Sequence, residues 1–377
     1  PGGISRIEIS RQLGLTRAAV TSIVNDLNEL GIVREANGAS LRSKRPAVLE
    51  IVPELGYVVG VDMGATHITA LVADSAANVL KEREIAIDIK NGPEICLEQL
   101  DRVVQKVVAE SGLQMMDIRS VGLGVPGPVV SEIGGVSAPP IMPGWDDFPI
   151  RTVMQEKWFC PVDINNDAEL GALGEWSYGA GRGESNLAYI KVGTGIGAGL
   201  MFGGNIYQGT TGTAGEIGHI TMDEDGPMCT CGNRGCLEAV AGGGAIARKA
   251  LEEVKKGRRT QLVGFGDLYQ ISAKDVILAA RKGDLLSQQI LCDAGTRLGT
   301  AIAGLVNLFN PSMVVVGGGV AQCGDLLLDP IRAAVKNRSL TVAAKAVRIT
   351  AALLGRRSSA MGAVVQALSY SLHKFSD

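Results

Sequence analysis

Up to Val33 the apolar positions make two short helical stripes, and beyond Pro53 they change to strand-like and helical runs in alternation. In "SRIEISRQLGLTRAAVTSIVNDLNELGIVRE", Ile7, Ile9, Leu13 and Leu15 frame one short helix ending at Gly14. Thr16 follows as an N-cap. Ala19, Val20, Ile23, Val24, Leu27 and Leu30 then form a 3.6-period stripe, which predicts a second helix that buries all six and ends at Gly31. The opposite face carries Arg17, Ala18, Thr21, Ser22 and Asn25. "IVREANGASLRSKRPAVLEIV" reads as two strands around a loop. Further on, "GYVVGVDMGATHITALVAD" (56 to 74) predicts a strand, a glycine turn and a second strand, followed by a helix at about 93 to 111 and a strand at 120 to 126. "NLAYIKVGTGIGAGLMFGG" (186 to 204) repeats the strand, turn, strand arrangement. Two such hairpins predict two similar lobes, a duplicated α/β unit.

Two short helices joined by a glycine turn, with a polar outer face on the second, fit a helix-turn-helix whose second helix enters the DNA major groove. Arg17, Thr21 and Ser22 are the candidate base-edge contacts, and Arg42, Lys44 and Arg45 in the following loop suit a wing that touches phosphates. A helical hairpin with a solvated polar face would leave the same stripe. Charge favours the DNA reading. Residues 1 to 50 carry a net charge of +2 on a chain of net −3, leaving the remainder at −5.

The 377 residues, 46% of them hydrophobic, can bury the cores of two or three domains. There is no run of eighteen apolar residues and no charged-then-apolar leader, so a soluble cytoplasmic protein without a membrane contact is expected. Pro1 is not a natural start, so residues are expected before it. Cys96, Cys160, Cys292 and Cys323 lie in apolar surroundings and are expected as reduced core residues.

The remaining chemistry is concentrated in four places. The glycine run Gly193, Gly195, Gly197, Gly199 leads into a strand rather than a helix, which rules out a dinucleotide fingerprint, and no GxxxxGK[ST] occurs. What remains is a pair of turns, Asp62-Met63-Gly64-Ala65-Thr66 and Gly193-Thr194-Gly195, whose backbone N–H groups and hydroxyls could wrap phosphate oxygens, or which could be ordinary tight hairpins. Asn165, Asn166 and Asp167 end an apolar strand and precede a helix, where Asp167 either caps the helix or accepts a proton from a substrate hydroxyl. His219, Cys229, Cys231 and Cys236 give H-x9-C-x-C-x4-C, which favours a closed, structural zinc site over a disulfide or free thiols brought together by chance. That loop would hold Glu216 and Glu238 at its two ends, where carboxylates can take bidentate hydrogen bonds from sugar hydroxyls.

These motifs resemble the ROK family (repressors, open reading frames, kinases), in its winged-helix branch of xylose and N-acetylglucosamine repressors. The resemblance covers nearly the whole chain. It is carried by the winged helix, "DMGAT", "GVPGPV", "PGW", "NNDAELGALGE", "GTGIGAG", "GTAGEIGH", "CTCGNRGCLE" and "PSMVVVGGGVA". It implies a two-lobed, actin-like (ribonuclease-H-like) sugar-kinase fold. A DNA-binding domain would span 1–53, a first lobe 54–165 and a second lobe 166–357. The C-terminal helix, 358–377, would pack back on the first lobe through Met361, Val364, Val365, Leu368 and Leu372. The resemblance further implies a sugar site at Asn166, Asp167, Glu216, His219 and Glu238, with Asp167 as general base and His219 serving both zinc and sugar. Asp62, Gly64, Thr66, Gly193, Thr194 and Gly195 would hold phosphates, and Gly317, Gly318 and Gly319 would lie near adenosine. Family kinases carry a second glycine and then Lys or Asn where this chain has Ala65 and His67. The expectation is therefore a sugar-responsive repressor, a homodimer or homotetramer on operator DNA with structural zinc. The alternative is a Mg-ATP-dependent sugar kinase that keeps a DNA-binding head.

Overall fold

The computed structural model describes residues 3–36, 47–130, 132–264 and 270–373. At the N-terminus, β1 (Ile4–Ser5), α1 (Arg6–Leu13), α2 (Arg17–Glu29), β2 (Val33–Glu35) and β3 (Val48–Ile51) make a small domain with an antiparallel sheet in the order β1-β3-β2. Ser5 and Glu8 form a reciprocal capping box that starts α1, and Thr16 Oγ1 accepts the Ala19 N–H at 3.2 Å to start α2. Gly14 ends α1 with φ +66°. The outer face of α2 holds Arg17, Thr21 and Ser22 exposed. Arg42, Lys44 and Arg45 lie outside the described residues.

The buried stripe of α2 is narrower than its sequence predicts. Val20 and Val24 are buried against Leu49, whereas Ile23 is 47% and Leu30 68% exposed. Strands of two to four residues are too short to cover a stripe six residues long.

The first lobe runs through β4 (Tyr57–Met63), β5 (His67–Asp74), β6 (Val79–Ala86), α3 (Pro93–Glu110), β7 (Ile118–Val125), a small hairpin of β8 (Val129–Val130) and β9 (Gly135–Val136), α4 (Ile150–Trp158) and β10 (Val162–Asn166). After α5 (Asp167–Tyr178) the second lobe begins with β11 (Leu187–Val192), β12 (Ile196–Phe202) and β13 (Asn205–Ile206). It continues through α6 (Leu237–Ala241), α7 (Gly243–Lys255), α8 (Ala273–Arg281), α9 (Leu285–Phe309), β14 (Met313–Gly317), α10 (Asp325–Arg338), α11 (Thr341–Ala346) and β15 (Arg348–Ala351). α12 (Ser358–His373) closes the described chain.

The duplication is explicit in the strand order. One sheet reads β10-β7-β4-β5-β6 and the other β15-β14-β11-β12-β13. In each, three antiparallel strands from a continuous meander are extended by two parallel ones. The central strands β4, β5, β7, β11, β12 and β14 are near-continuous apolar runs, as strands covered on both faces require, whereas the edge strand β6 is largely charged. Each lobe has its own core, one around Val61, Leu123 and Trp145, the other around Ile190, Leu298 and Val316.

α5 and α12 cross between the lobes. α12 lies on β4 and β7 of the first sheet, α5 on β11 and β12 of the second. They touch through glycine: a Cβ at Gly362 would stand 1.8 Å from the Leu170 carbonyl oxygen. Glu175, fully buried on α5, accepts hydrogen bonds from the Leu353 and Leu354 N–H groups at 3.0 and 2.9 Å and from Ser358 Oγ at 2.7 Å, fixing the turn into α12. Of the four scattered cysteines, Cys96 and Cys323 are buried and Cys160 is half-buried, but Cys292 is exposed on α9 and is not a core residue. Among the described residues no helix is long and apolar enough to cross a membrane.

Candidate functional site

A cavity of about 640 Å³ opens between the lobes, lined by the β4–β5 turn, the start of α5, the β11–β12 turn and the loop from Gly212 to His219. Asp62, at the end of β4, and Asp167, at the first position of α5, both face Lys191 on β11. Lys191 Nζ donates to both Asp62 oxygens at 3.1 Å, to Asp167 Oδ2 at 2.9 Å and to Ser359 Oγ at 3.2 Å. An ammonium has three donors, and three residues take them. Burial opposes ionisation of Asp62, but Lys191 and the nearby His67 outweigh it and hold its carboxyl below the usual range. For Asp167, burial wins, helped by the Asp62 charge, and its carboxyl is pushed up despite Lys191. The two acids together overcome burial at Lys191 and keep it charged.

Asn166, rather than Asp167, caps α5. Its Oδ1 accepts the N–H groups of Ala168 and Glu169 at 2.8 and 3.2 Å, and its Nδ2 donates to the Gly127 carbonyl at 3.0 Å. Asn166 lines the cavity with most of its hydrogen-bonding capacity already committed, and Asp167 is left free of capping. One turn along, the buried Glu169 accepts from Gln208 Nε2 at 2.9 Å. Burial pushes its carboxyl up to about 7, against the hydrogen bonds from Gln208 and Asn165.

The folded protein therefore holds a proton on Glu169 that the unfolded chain releases near pH 4.3. That contribution is complete below about pH 4 and is lost as pH rises toward 7. Stability should fall by up to about 3 kcal/mol over this interval, and Glu169→Gln should flatten that part of the profile. Thermal melts from pH 4.5 to 8 check this, and an identical profile in the variant would contradict it.

The second glycine turn is tied to the loop that follows. Glu238 Oε2, on α6, accepts the Ile196 N–H at 3.0 Å, and a Cβ at Gly195 would stand 2.4 Å from that same oxygen. Glycine is required there for the carboxylate to reach the turn. At the other end of the loop Glu216 Oε2 lies 3.8 Å from His219 Nε2. His219 turns its Nδ1 the other way, 3.6 Å from Cys229 Sγ, and Cys231 Sγ and Cys236 Sγ are 3.7 Å apart. The four ligand atoms lie within 4.8 Å of one another. Sulfur ligands on a tetrahedron about 2.3 Å from a central ion stand roughly 3.8 Å apart, so this cluster can hold a metal ion with little adjustment.

The cavity brings Asp62, Gly64, Thr66, Asn166, Asp167, Gly193, Thr194, Gly195, Glu216, His219 and Glu238 to one surface. Gly318 and Gly319 line its far end with Lys274 and Arg281 of α8, but Gly317 does not. It is the last residue of β14, where a Cβ would meet Tyr189 Oη at 2.3 Å; its role is to admit that buried ring. Ala65 and His67 both border the cavity, His67 with Nε2 3.8 Å from Asp62 Oδ2. Sequence reasoning missed Lys191 and Ser359. The signal for Lys191 was present: a single charge inside the apolar strand "LAYIKVG", one residue before a glycine turn, must find a buried partner.

Comparison with known proteins follows the same outline. The chain is 32% identical over 367 residues to a putative xylose repressor of Caldicellulosiruptor sp. (strain Rt8B.4), covering 97% of this chain and 92% of that protein. The structure matches a ROK-family transcriptional regulator, described as a homolog of the E. coli MLC protein, with a TM-score of 0.78 and 28% identity over 99% of this chain and 94% of that one. A glucokinase from Streptomyces griseus, solved with glucose and AMPPNP, matches with a TM-score of 0.76 and 31% identity over 83% of this chain and all of its own. The sequence model of the ROK family matches residues 58–369, and the chain belongs to the ROK family.

Proposed function

We propose that the chain is a sugar-responsive transcriptional repressor, which binds a sugar between its lobes and thereby changes its affinity for operator DNA. The observation that carries this reading is the two-helix domain with an exposed Arg17, Thr21 and Ser22 face, joined through β3 to the cleft-bearing body. Repressor and regulator relatives extend over this domain, while the glucokinase match covers 83% of the chain. Asp167, Glu216 and Glu238 would accept hydrogen bonds from sugar hydroxyls, Asn166 would offer its remaining amide hydrogen, and His219 Nε2 would face the sugar. His219 Nδ1, Cys229, Cys231 and Cys236 would hold zinc, whose contribution is to fix the loop between Glu216 and Glu238.

A sugar that contacts both lobes favours one lobe angle, and in a homodimer that angle sets the spacing of the two DNA-binding domains. Leu308 at the end of α9, with Leu340 and Val342 beside it, gives an exposed apolar face suited to pairing two copies. Such a repressor acts in the cytoplasm, on operator DNA. The domain limits 1–53, 54–165 and 166–357 follow the same reading, with Arg42, Lys44 and Arg45 as the phosphate-contacting wing.

The test of the DNA-binding face uses a duplex enriched from a random pool by the wild-type protein, followed by fluorescence anisotropy. Arg17→Ala should lose roughly 10- to 100-fold in affinity, the worth of one base-edge contact. Unchanged affinity would contradict this placement of the recognition helix. A second reading, an ATP-dependent sugar kinase, is favoured by one specific arrangement: Asp62, Asp167 and both glycine turns (Gly64, Thr66; Gly193, Thr194, Gly195) surround one cavity whose far end has Gly318 and Gly319.

A further inference from the structure

The kinase reading requires a divalent cation. Phosphoryl transfer from ATP depends on one that bridges the phosphate oxygens and neutralises the charge that develops. Five acids line the cavity among the described residues, Asp62, Asp167, Glu169, Glu216 and Glu238, and of these Asp62 and Asp167 are the pair that shares Lys191. Each already gives at least one oxygen to the same ammonium. Lys191 Nζ stands between them, with two Asp62 oxygens at 3.1 Å and one Asp167 oxygen at 2.9 Å, and its third donor is taken by Ser359 Oγ. Ser359 in turn donates to the Asp167 carbonyl at 2.7 Å, so the ammonium is held by α12 as well as by the two acids. The side chain of Lys191 is 15% exposed and that of Asp62 3%. Lys191 borders the cavity, and its ammonium is held there by Asp62, Asp167 and Ser359.

A divalent ion bound to either Asp62 oxygen would lie within a few ångströms of this ammonium, in a site where water screens little. Like charges at that separation repel more strongly than carboxylates already paired to lysine can offset. The residues therefore do not fit a magnesium site as they stand.

We propose that Lys191 is a resident cation that replaces the divalent ion at this position, so that the cleft binds a sugar without a metal at the Asp62–Asp167 pair and without transferring phosphate to it. The ammonium balances one of the two carboxylate charges, holds Asp62 of the first lobe against β11 of the second, and leaves Asp167 Oδ1 to face a sugar hydroxyl. This inference rests on the reading of the cavity as a sugar site. It is independent of the DNA-binding reading.

The test compares full-length, zinc-loaded wild type with Lys191→Ser and Lys191→Arg. Free Mn²⁺ is followed by electron paramagnetic resonance in the presence of AMPPNP, and ADP release is followed with Mg-ATP and xylose or glucose. Wild type and Lys191→Arg should bind Mn²⁺ no more tightly than AMPPNP alone does and should release no ADP above a sugar-free blank. Lys191→Ser, which removes the charge and opens the space, should gain at least about tenfold in Mn²⁺ affinity. Mn²⁺ held by the wild type as tightly as by Lys191→Ser, or sugar-dependent ADP release by the wild type, would overturn the proposal. Should Lys191→Ser fail to fold, the wild-type Mn²⁺ and ADP measurements decide the matter alone. Calorimetry of xylose and glucose binding runs beside them: absence of any sugar binding would refute the sugar site itself, whatever the Mn²⁺ result.

Discussion

Cys231→Ser is expected to strip the 219–236 loop of its metal and to weaken sugar binding about a hundredfold or more. The reasoning begins with the loop: between the short helix that ends at His219 and α6, its residues are held by isolated bridges at Thr221–Cys236 and Met228–Arg234 and a few turn hydrogen bonds, so the four ligands add the long-range tie between its two ends. Glu216 and His219 lie just before or at one end of that loop and Glu238 just past the other. Hydrogen bonds to charged groups are worth about 1.5–3 kcal/mol each, so misplacing two carboxylates costs roughly 3–6 kcal/mol, or two to four decades in affinity. Glu238 also accepts the Ile196 N–H, so the disturbance extends into the second glycine turn. The check is isothermal calorimetry with the sugar that binds wild type, on variant protein whose metal content has been measured. A metal-free variant with unchanged affinity would mean that the loop is ordered by its own packing.

Gly362→Ala is expected to be among the most destabilising single-methyl changes in the chain. On helix propensity alone alanine should gain about 1 kcal/mol over glycine. Here the added methyl would stand 1.8 Å from the Leu170 carbonyl oxygen and 2.5 Å from its carbon, both backbone atoms of α5 that cannot rotate away. The two helices must separate, and overpacking of this kind costs about 1–3 kcal/mol, occasionally more. Their contact is glycine-lined on both sides, since a Cβ at Gly174 would stand 2.1 Å from the Ser358 carbonyl oxygen. Separation would not stop at stability. α5 begins with Asp167 and α12 carries Ser359, so two of the three partners of Lys191 move with the helices. A lower melting temperature together with weaker sugar binding is the expected result, and a variant as stable as wild type would show that the helices do not approach this closely.

How far the sequence could be read depended on whether a property is local. The Thr16 cap, the two strand-turn-strand hairpins and the cluster of His219 with three cysteines are local patterns, and each is found where its spacing places it. The equivalence of the two sheets was visible only through those hairpins; the parallel strands that complete it, β7 with β10 and β14 with β15, have no shared residue pattern. Long-range pairing was not legible. Lys191 meets Asp62 across 129 residues and Ser359 across 168, and nothing in a single sequence joins them. Asn166 illustrates a different loss: its residue type suits a sugar ligand and a helix cap equally, and only the bonds it makes show how much of it the cap takes. Burial was misjudged where an element is small, at Ile23 and Leu30, and where a helix has an exposed back, at Cys292.

The central claim is that sugar in the cleft and DNA on α2 are thermodynamically linked. It is tested most directly by fluorescence anisotropy of the selected duplex, titrated with wild-type protein in the absence and presence of saturating xylose or glucose, beside Glu216→Ala. The account predicts that a sugar which binds by calorimetry shifts DNA affinity by about tenfold or more, and that Glu216→Ala keeps its sugar-free DNA affinity while losing the shift. A sugar that binds the cleft and leaves the DNA affinity of the wild type unchanged would contradict it.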